Sequence, residues 1–270
     1  ATKKDGAGTV GQSLTFDAKG RAKSITTSGV SQVTQCTYDP YDYRIAKSDS
    51  QGNQTYLLEG EHLEGIMSGH NWQAKFMRGA VIDEVVNGFE FDTSDTWTNY
   101  TFHHDNLQSV LGLSGHEGSV LQTIQYGPFG EKIATTGTSN NNYLHFTGRE
   151  EDPDTGLYYF RARYYDPTIG RFITEDPKGF EAGVNFYAYV QNNPINFSDP
   201  MGLQRGDPGD ISSYFDPLLY RTAWDDVVSG AAAKRIGAAW KAEAGIVAGA
   251  GEMVFSYGTK GLNTVSRGAI

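Results

Sequence analysis

Two aspartates, Asp176 and Asp199, each open an Asp-Pro-x-Gly tetrapeptide, DPKG and DPMG, and Leu203 follows the second at once. Such a tetrapeptide is a good turn: the Asp caps it, Pro fixes φ, and Gly takes the position that needs φ > 0. Two carboxylates brought together at a strand end can do more. Like charges that close cannot both ionise, so one becomes an acid and the other a base. Such a dyad can activate water and protonate the leaving nitrogen of a peptide bond. The tetrapeptides alone leave both readings open, two structural turns or one reactive dyad. The other nearby acids are read as structural: Asp166 belongs to a YDP turn, and Asp152 and Asp154 to a DPDTG turn.

The elements that must position these residues are strands. LTFDAKGRAKSI (14–25) and CTYDPYDYRIAK (36–47) repeat one theme, which returns as QYGPFGEKI (125–133) and ARYYDPTIGRFI (162–173). Each copy has an aromatic residue, an Asp or Gly, a turn, and then another β-like run. These read as strand–turn–strand units in which Asp17 or Asp39 bonds the turn amides. Residues 54–66, 119–126 and 143–150 alternate with period two, as strands do. The composition agrees: 33 Gly and 16 Tyr among 270 residues suit short strands and tight turns, and a hydrophobic share of 38% predicts a sheet with one wetted face.

After Leu203 the pattern changes. Residues 204–213 read as a linker, and apolar residues four apart in 224–255, including Trp224, Ile236 and Trp240, predict a helix. Lys241, Glu243 and Glu252 interrupt it, so packing on protein is favoured over membrane contact. Residues 204–270 balance seven Lys+Arg with seven Asp+Glu, so the net charge of −10 belongs to the first 203 residues. An acidic body argues against nucleic-acid binding. The chain begins at Ala1 and is expected to be a fragment, so the lack of a leader says little about compartment.

Other chemistry finds little support. Cys36 is the one cysteine, which excludes an internal disulfide and predicts a buried filler. His103 and His104 are adjacent in a strand and point to opposite faces, so they do not share an ion. His62, His70, His116 and His145 are scattered, and no phosphate loop or G-x-S-x-G elbow is present. No cofactor and no metal are expected.

The run GREEDPDTGLYYFRARYYDPTIGRFITEDPKG, continued by NFYAYVQNNPINFSDPMGL, closely resembles the core signature of Rhs/YD-repeat proteins. The likeness is strong over about 100–203 and weak over 14–100, where PYDYR stands in place of the usual Gly-Arg and suggests an irregular wall. The resemblance implies a mainly β fold, a spiralling antiparallel shell with an α-helical C-terminal tail. It implies a degenerate YD-repeat shell segment over 1–99, an autoproteolytic core over 100–203, and a cleaved pre-toxin or toxin segment over 204–270. It implies an aspartic-type self-cleaving peptidase, with Asp176, Asp199 and Arg163 as catalytic residues and the cut between Leu203 and Gln204. Arg163 would stabilise a charged carboxylate or hold the oxyanion, with Arg161 and Arg171 as rivals and Glu175 as a nearby acid; an alternative for Arg163 is a surface arginine stacked on Tyr164 or Tyr158. The expected partners are the chain's own enclosed C-terminal segment, a secretion apparatus and an immunity protein, and the expected setting is secretion by a bacterial delivery system. A non-enzymatic YD-repeat surface or adhesion protein is the alternative.

Overall fold

The computed structural model describes residues 2–4, 10–79, 82–91, 97–137 and 142–203. Gln204, the linker at 204–213 and the helix expected over 224–255 lie outside the described residues.

Thirteen strands pair in chain order, each antiparallel to the next: β1 (Thr2–Lys4), β2 (Val10–Phe16), β3 (Ala22–Thr27), β4 (Thr34–Tyr38), β5 (Arg44–Asp49), β6 (Gly52–Glu59) and β7 (His62–Ser68), then β8 (Asn71–Arg78), β9 (Val85–Phe91), β10 (Trp97–His104), β11 (Val110–Gly115), β12 (Val120–Tyr126) and β13 (Lys132–Gly137). A second sheet follows, made of β14 (Glu150–Asp152), β15 (Leu157–Phe160), β16 (Arg163–Asp166) and β17 (Arg171–Phe172). The 99/100 boundary expected from the sequence falls inside β10, whose ladder with β9 pairs Asn99 with Phe89 and Tyr100 with Gly88.

Alternation builds the large sheet. In β8, Ala74 and Phe76 turn inward while Lys75 and Met77 face out; in β12, Gln122 and Ile124 turn inward. Inward residues from β6 to β11 form one cluster around Ile66, Tyr100 and Leu113. The wetted outer face matches the low apolar share.

The second sheet departs from that expectation: every residue of β15 and β16 is buried. Its two faces serve two cores. Leu157, Tyr159 and Tyr164 pack with Leu14, Ile25 and Cys36 of the large sheet. Tyr158, Phe160, Tyr165 and Phe172 pack with Phe146, Tyr189 and Val190. Tyrosine makes this possible, because each ring offers apolar area and its hydroxyl can find a buried acceptor. Tyr158 and Tyr165 donate to the carbonyls of Gly130 and Phe129 at 3.1 and 2.7 Å.

One expectation is corrected. Residues 143–150 are not a strand: Phe146–Gly148 forms a 3-10 turn, with Thr147 at φ +48° and Gly148 at +68°, before β14 begins. Over 36–47 the wall carries one irregularity, a register shift between Thr37 and Tyr38. Asp42 takes φ +75° where glycine is usual, and Lys19 and Arg21 hold its carboxylate at 2.7 and 2.6 Å, so β4 and β5 pair as other neighbours do.

Candidate functional site

The two tetrapeptides and the repeat turn DAKG are one structure. In each, the glycine three residues on donates its N–H to the aspartate carbonyl: Gly20 to Asp17 at 3.0 Å, Gly179 to Asp176 at 2.9 Å, and Gly202 to Asp199 at 3.1 Å. Those glycines have φ of +80°, +58° and +68°, which L-residues with a Cβ rarely adopt. The Oδ1 atoms cap the turns. Asp17 accepts from the Lys19 and Arg21 amides, Asp176 from the Lys178 amide at 2.9 Å, and Asp199 from the Leu203 amide at 3.0 Å.

What distinguishes Asp176 and Asp199 is the second oxygen. Both direct Oδ2 at the same nitrogen, Nη2 of Arg163, at 2.8 and 3.2 Å. Arg163 opens β16, and its guanidinium lies 3.6 Å from the ring centre of Phe172. It also donates from Nε to the carbonyl of Gly202 and from Nη1 to that of Phe186, the latter at 3.1 Å. All three side chains are buried. Arg163 is therefore not a surface arginine, and its ring partner is Phe172 and neither Tyr158 nor Tyr164. Burial draws its pKa below the ordinary value, while Asp199 and Asp176 pull it back up.

The chain from Asp199 to Leu203 forms a strap across the tip of the β15–β16 hairpin. Arg163 holds the Gly202 carbonyl, the Ala162 amide donates to Met201 O at 3.3 Å, and Arg161 donates to Pro200 O. The strap ends with the Leu203 amide on Asp199 at 3.0 Å.

The rival residues are engaged elsewhere. Arg161 is buried and pairs with Asp83 at 2.7 Å. Arg171 is exposed on β17. Asp166 caps its own turn through Thr168, at 2.9 Å to the amide and 2.6 Å to the hydroxyl. Glu175 accepts from the exposed Tyr187 hydroxyl at 2.9 Å. Asp154 accepts from the Ser50 amide at 2.8 Å. Asp152 does more than close a turn. It is buried against Arg44 at 2.9 Å and Lys47 at 3.1 Å, joining the second sheet to β5, and those cations outweigh burial and hold its carboxyl below the usual range.

His103 faces solvent and meets Ser114 at 2.8 Å, while His104 is half-buried. Among the described residues no helix is long and apolar enough to cross a membrane.

Sequence reasoning overlooked Asp83, which stands between Arg161 and Arg149. Its setting, VIDEVV, carries no turn signature, and its partners lie 66 and 78 positions away.

Residues 5–197 match the family model described as Teneurin YD-shell. Double-stranded DNA deaminase toxin A of Burkholderia cenocepacia is 28% identical over 235 residues, covering 75% of this chain and 16% of that protein. Toxin subunit YenC2 of Yersinia entomophaga is 28% identical over 216 residues, covering 72% of this chain and 22% of that subunit. A crystal structure of TcdB2-TccC3-TEV aligns with a TM-score of 0.58 at 22% identity, over 72% of this chain and 10% of that one. The chain thus spans less than a quarter of the length of these relatives, and the structural likeness at that identity concerns the fold.

Proposed function

The chain belongs to the teneurin-type YD-shell family, the Rhs/YD-repeat proteins, and from that premise we propose that residues 1–203 are a shell segment and self-cleaving core that free a C-terminal toxin by cutting after Leu203. The observation that carries this reading is the single guanidinium of Arg163. It contacts both Asp176 and Asp199 and also holds the carbonyl of Gly202, one residue before the expected cut.

The chemistry is hydrolysis of one peptide bond. One carboxylate takes a proton from water, and the resulting hydroxide adds to the carbonyl carbon of Leu203. The other carboxyl gives its proton to the nitrogen of Gln204 as the C–N bond breaks, leaving a new carboxyl terminus and a new amine. Arg163 has two tasks. It gathers the carboxylates at one nitrogen, and it fixes the peptide just upstream. The bond to be cut is part of the same chain, so proximity needs no separate binding step. The Leu203 amide donates to Asp199 at 3.0 Å, which tethers the residue before the expected cut to one member of the pair.

The relatives named above are toxins and toxin subunits, which supports a toxin as the cargo and secretion as the setting. The enclosed C-terminal segment is the first partner, followed by a delivery apparatus and an immunity protein.

Intact mass tests the reading. The wild-type chain should yield a fragment ending at Leu203, and Asp199→Asn should stay whole. Acid-labile Asp-Pro scission gives a different mass, because it cuts before Pro200 or Pro177. An Asp199→Asn chain cut as fast as wild type removes the carboxylate pair from the mechanism.

A further inference from the structure

The strap that carries the expected cut is held from two sides, and one of the holds begins in the wall. Arg161, at the tip of the β15–β16 hairpin, donates to Pro200 O in the DPMG turn and to the Glu61 carbonyl, at 3.0 Å, in the β6–β7 turn. Its orientation is fixed by Asp83, from the connection between β8 and β9, through Nη2–Oδ1 at 2.7 Å and Nη1–Oδ2 at 3.3 Å. Arg149 donates to the same Asp83 oxygen. All three side chains are buried. Arg161 also stands at φ +53°, a conformation that needs support from its surroundings.

The fit around Asp83 is close. A Cβ on Gly148 would come within 2.7 Å of Asp83 O and 3.1 Å of Asp83 Cβ, so the wall turn seats against the one residue type that admits it. Asp83 is itself at φ +65°. Without its carboxylate, two buried guanidiniums would face each other with no anion between them, and Arg161 would move away from Pro200.

We infer that Asp83 is a positioning residue for the self-cleavage reaction, acting through Arg161 on the Pro200 carbonyl. This rests on the cleavage reading above. The wall, and not only the core, then sets where the Leu203–Gln204 bond lies relative to Asp176 and Asp199. A shift of the strap by about 1 Å is enough to slow such a reaction roughly 100-fold.

The test follows appearance of the fragment ending at Leu203 in freshly translated full-length chain, with melting temperature measured on each variant. Asp83→Asn should slow the cut by roughly 100-fold, and Asp83→Glu, which restores the carboxylate, should recover part of the rate. Arg161→Lys keeps the charge but loses the fork that reaches both Asp83 and Pro200, so it should slow the cut even where Asp83→Asn fails to fold. Asp152→Asn is the control: it strips a comparable buried carboxylate from Arg44 and Lys47 without touching residues 199–203, and its folded fraction should cut at the wild-type rate. Wild-type rates in Asp83→Asn or Arg161→Lys overturn the inference while the cleavage reading stands. So does a loss in Asp152→Asn as large as in Asp83→Asn, or an Asp83→Glu chain no faster than Asp83→Asn. A wild-type chain that stays whole sinks the cleavage reading and this inference together.

Discussion

Gly202 lies so close to Phe160 that a Cβ on the glycine would fall 2.3 Å from the Phe160 carbonyl oxygen. The same glycine has φ +68°. Gly202→Ala therefore meets a backbone clash and a left-handed penalty of about 1–2 kcal/mol. It should lift the strap from Arg163 and abolish the cut after Leu203. Gly179 is the matched control, at φ +58° with nothing within 4 Å of an added methyl group; Gly179→Ala should keep cutting. Equal cleavage in both chains, read by intact mass, would remove the close approach from the account.

Asp152→Asn leaves Arg44 and Lys47 buried without their shared carboxylate. Arg44 keeps Glu150 and Lys47 keeps Asp49 at 2.6 Å, so the cost should stay below the roughly 3–5 kcal/mol of a buried charge left with no partner. Asp154→Asn, on the neighbouring and more exposed aspartate that bonds Ser50, should cost about 1 kcal/mol or less. Urea midpoints of the two variants should differ accordingly, and a shared midpoint would show that the β5 contact contributes little.

Acid should weaken the fold before it reaches the carboxylates. Burial lowers His145 to about 4, despite Glu151 at 3.1 Å, which pulls the other way. Below an ordinary pKa of about 6.5 the unfolded chain takes up a proton that folded His145 refuses. Stability is therefore full above that value, falls as pH drops toward 4, and loses roughly 3 kcal/mol from this group. Burial also lowers His62 to about 4, and it adds in the same sense. His145→Gln should flatten the slope of melting temperature between pH 6.5 and 4; an unchanged slope would assign the effect elsewhere.

Cys36 should ignore thiol reagents in the folded chain. Its side chain is buried, burial raises the thiol pKa, and its sulfur meets the Tyr164 hydroxyl at 3.1 Å. Reaction should begin only after denaturant opens the contact between β4 and β16. Full modification in native buffer would contradict this packing.

The strand–turn–strand repeat was legible because turn chemistry is local: Asp17, Asp39 and Asp105 each cap amides within four residues of themselves. The convergence of Arg163, Asp176 and Asp199 followed from a long motif. What the sequence hid is carried by distant pairs. Nothing near Asp83 announces Arg161, and Asp152 reads as a turn residue until Arg44 and Lys47 arrive from β5. Residues 143–150 alternate like a strand, yet Phe146 is drawn under Tyr158, Tyr165 and Tyr189, and Gly148 turns the chain where Asp83 needs room. Tertiary demand overrode the local pattern there.

The shared geometry of DAKG, DPKG and DPMG bears on how such a site could arise. In the repeat turn, Asp17 gives its first oxygen to turn amides and its second to Arg21 of the same loop, at 2.7 Å. Two such turns folded against one buried arginine bring their second oxygens to a single nitrogen, with no new kind of loop. The same economy explains why asparagine is the informative replacement at Asp176 and Asp199: it preserves the turn and removes the charge, so architecture and chemistry, inherited together, can be separated at the bench.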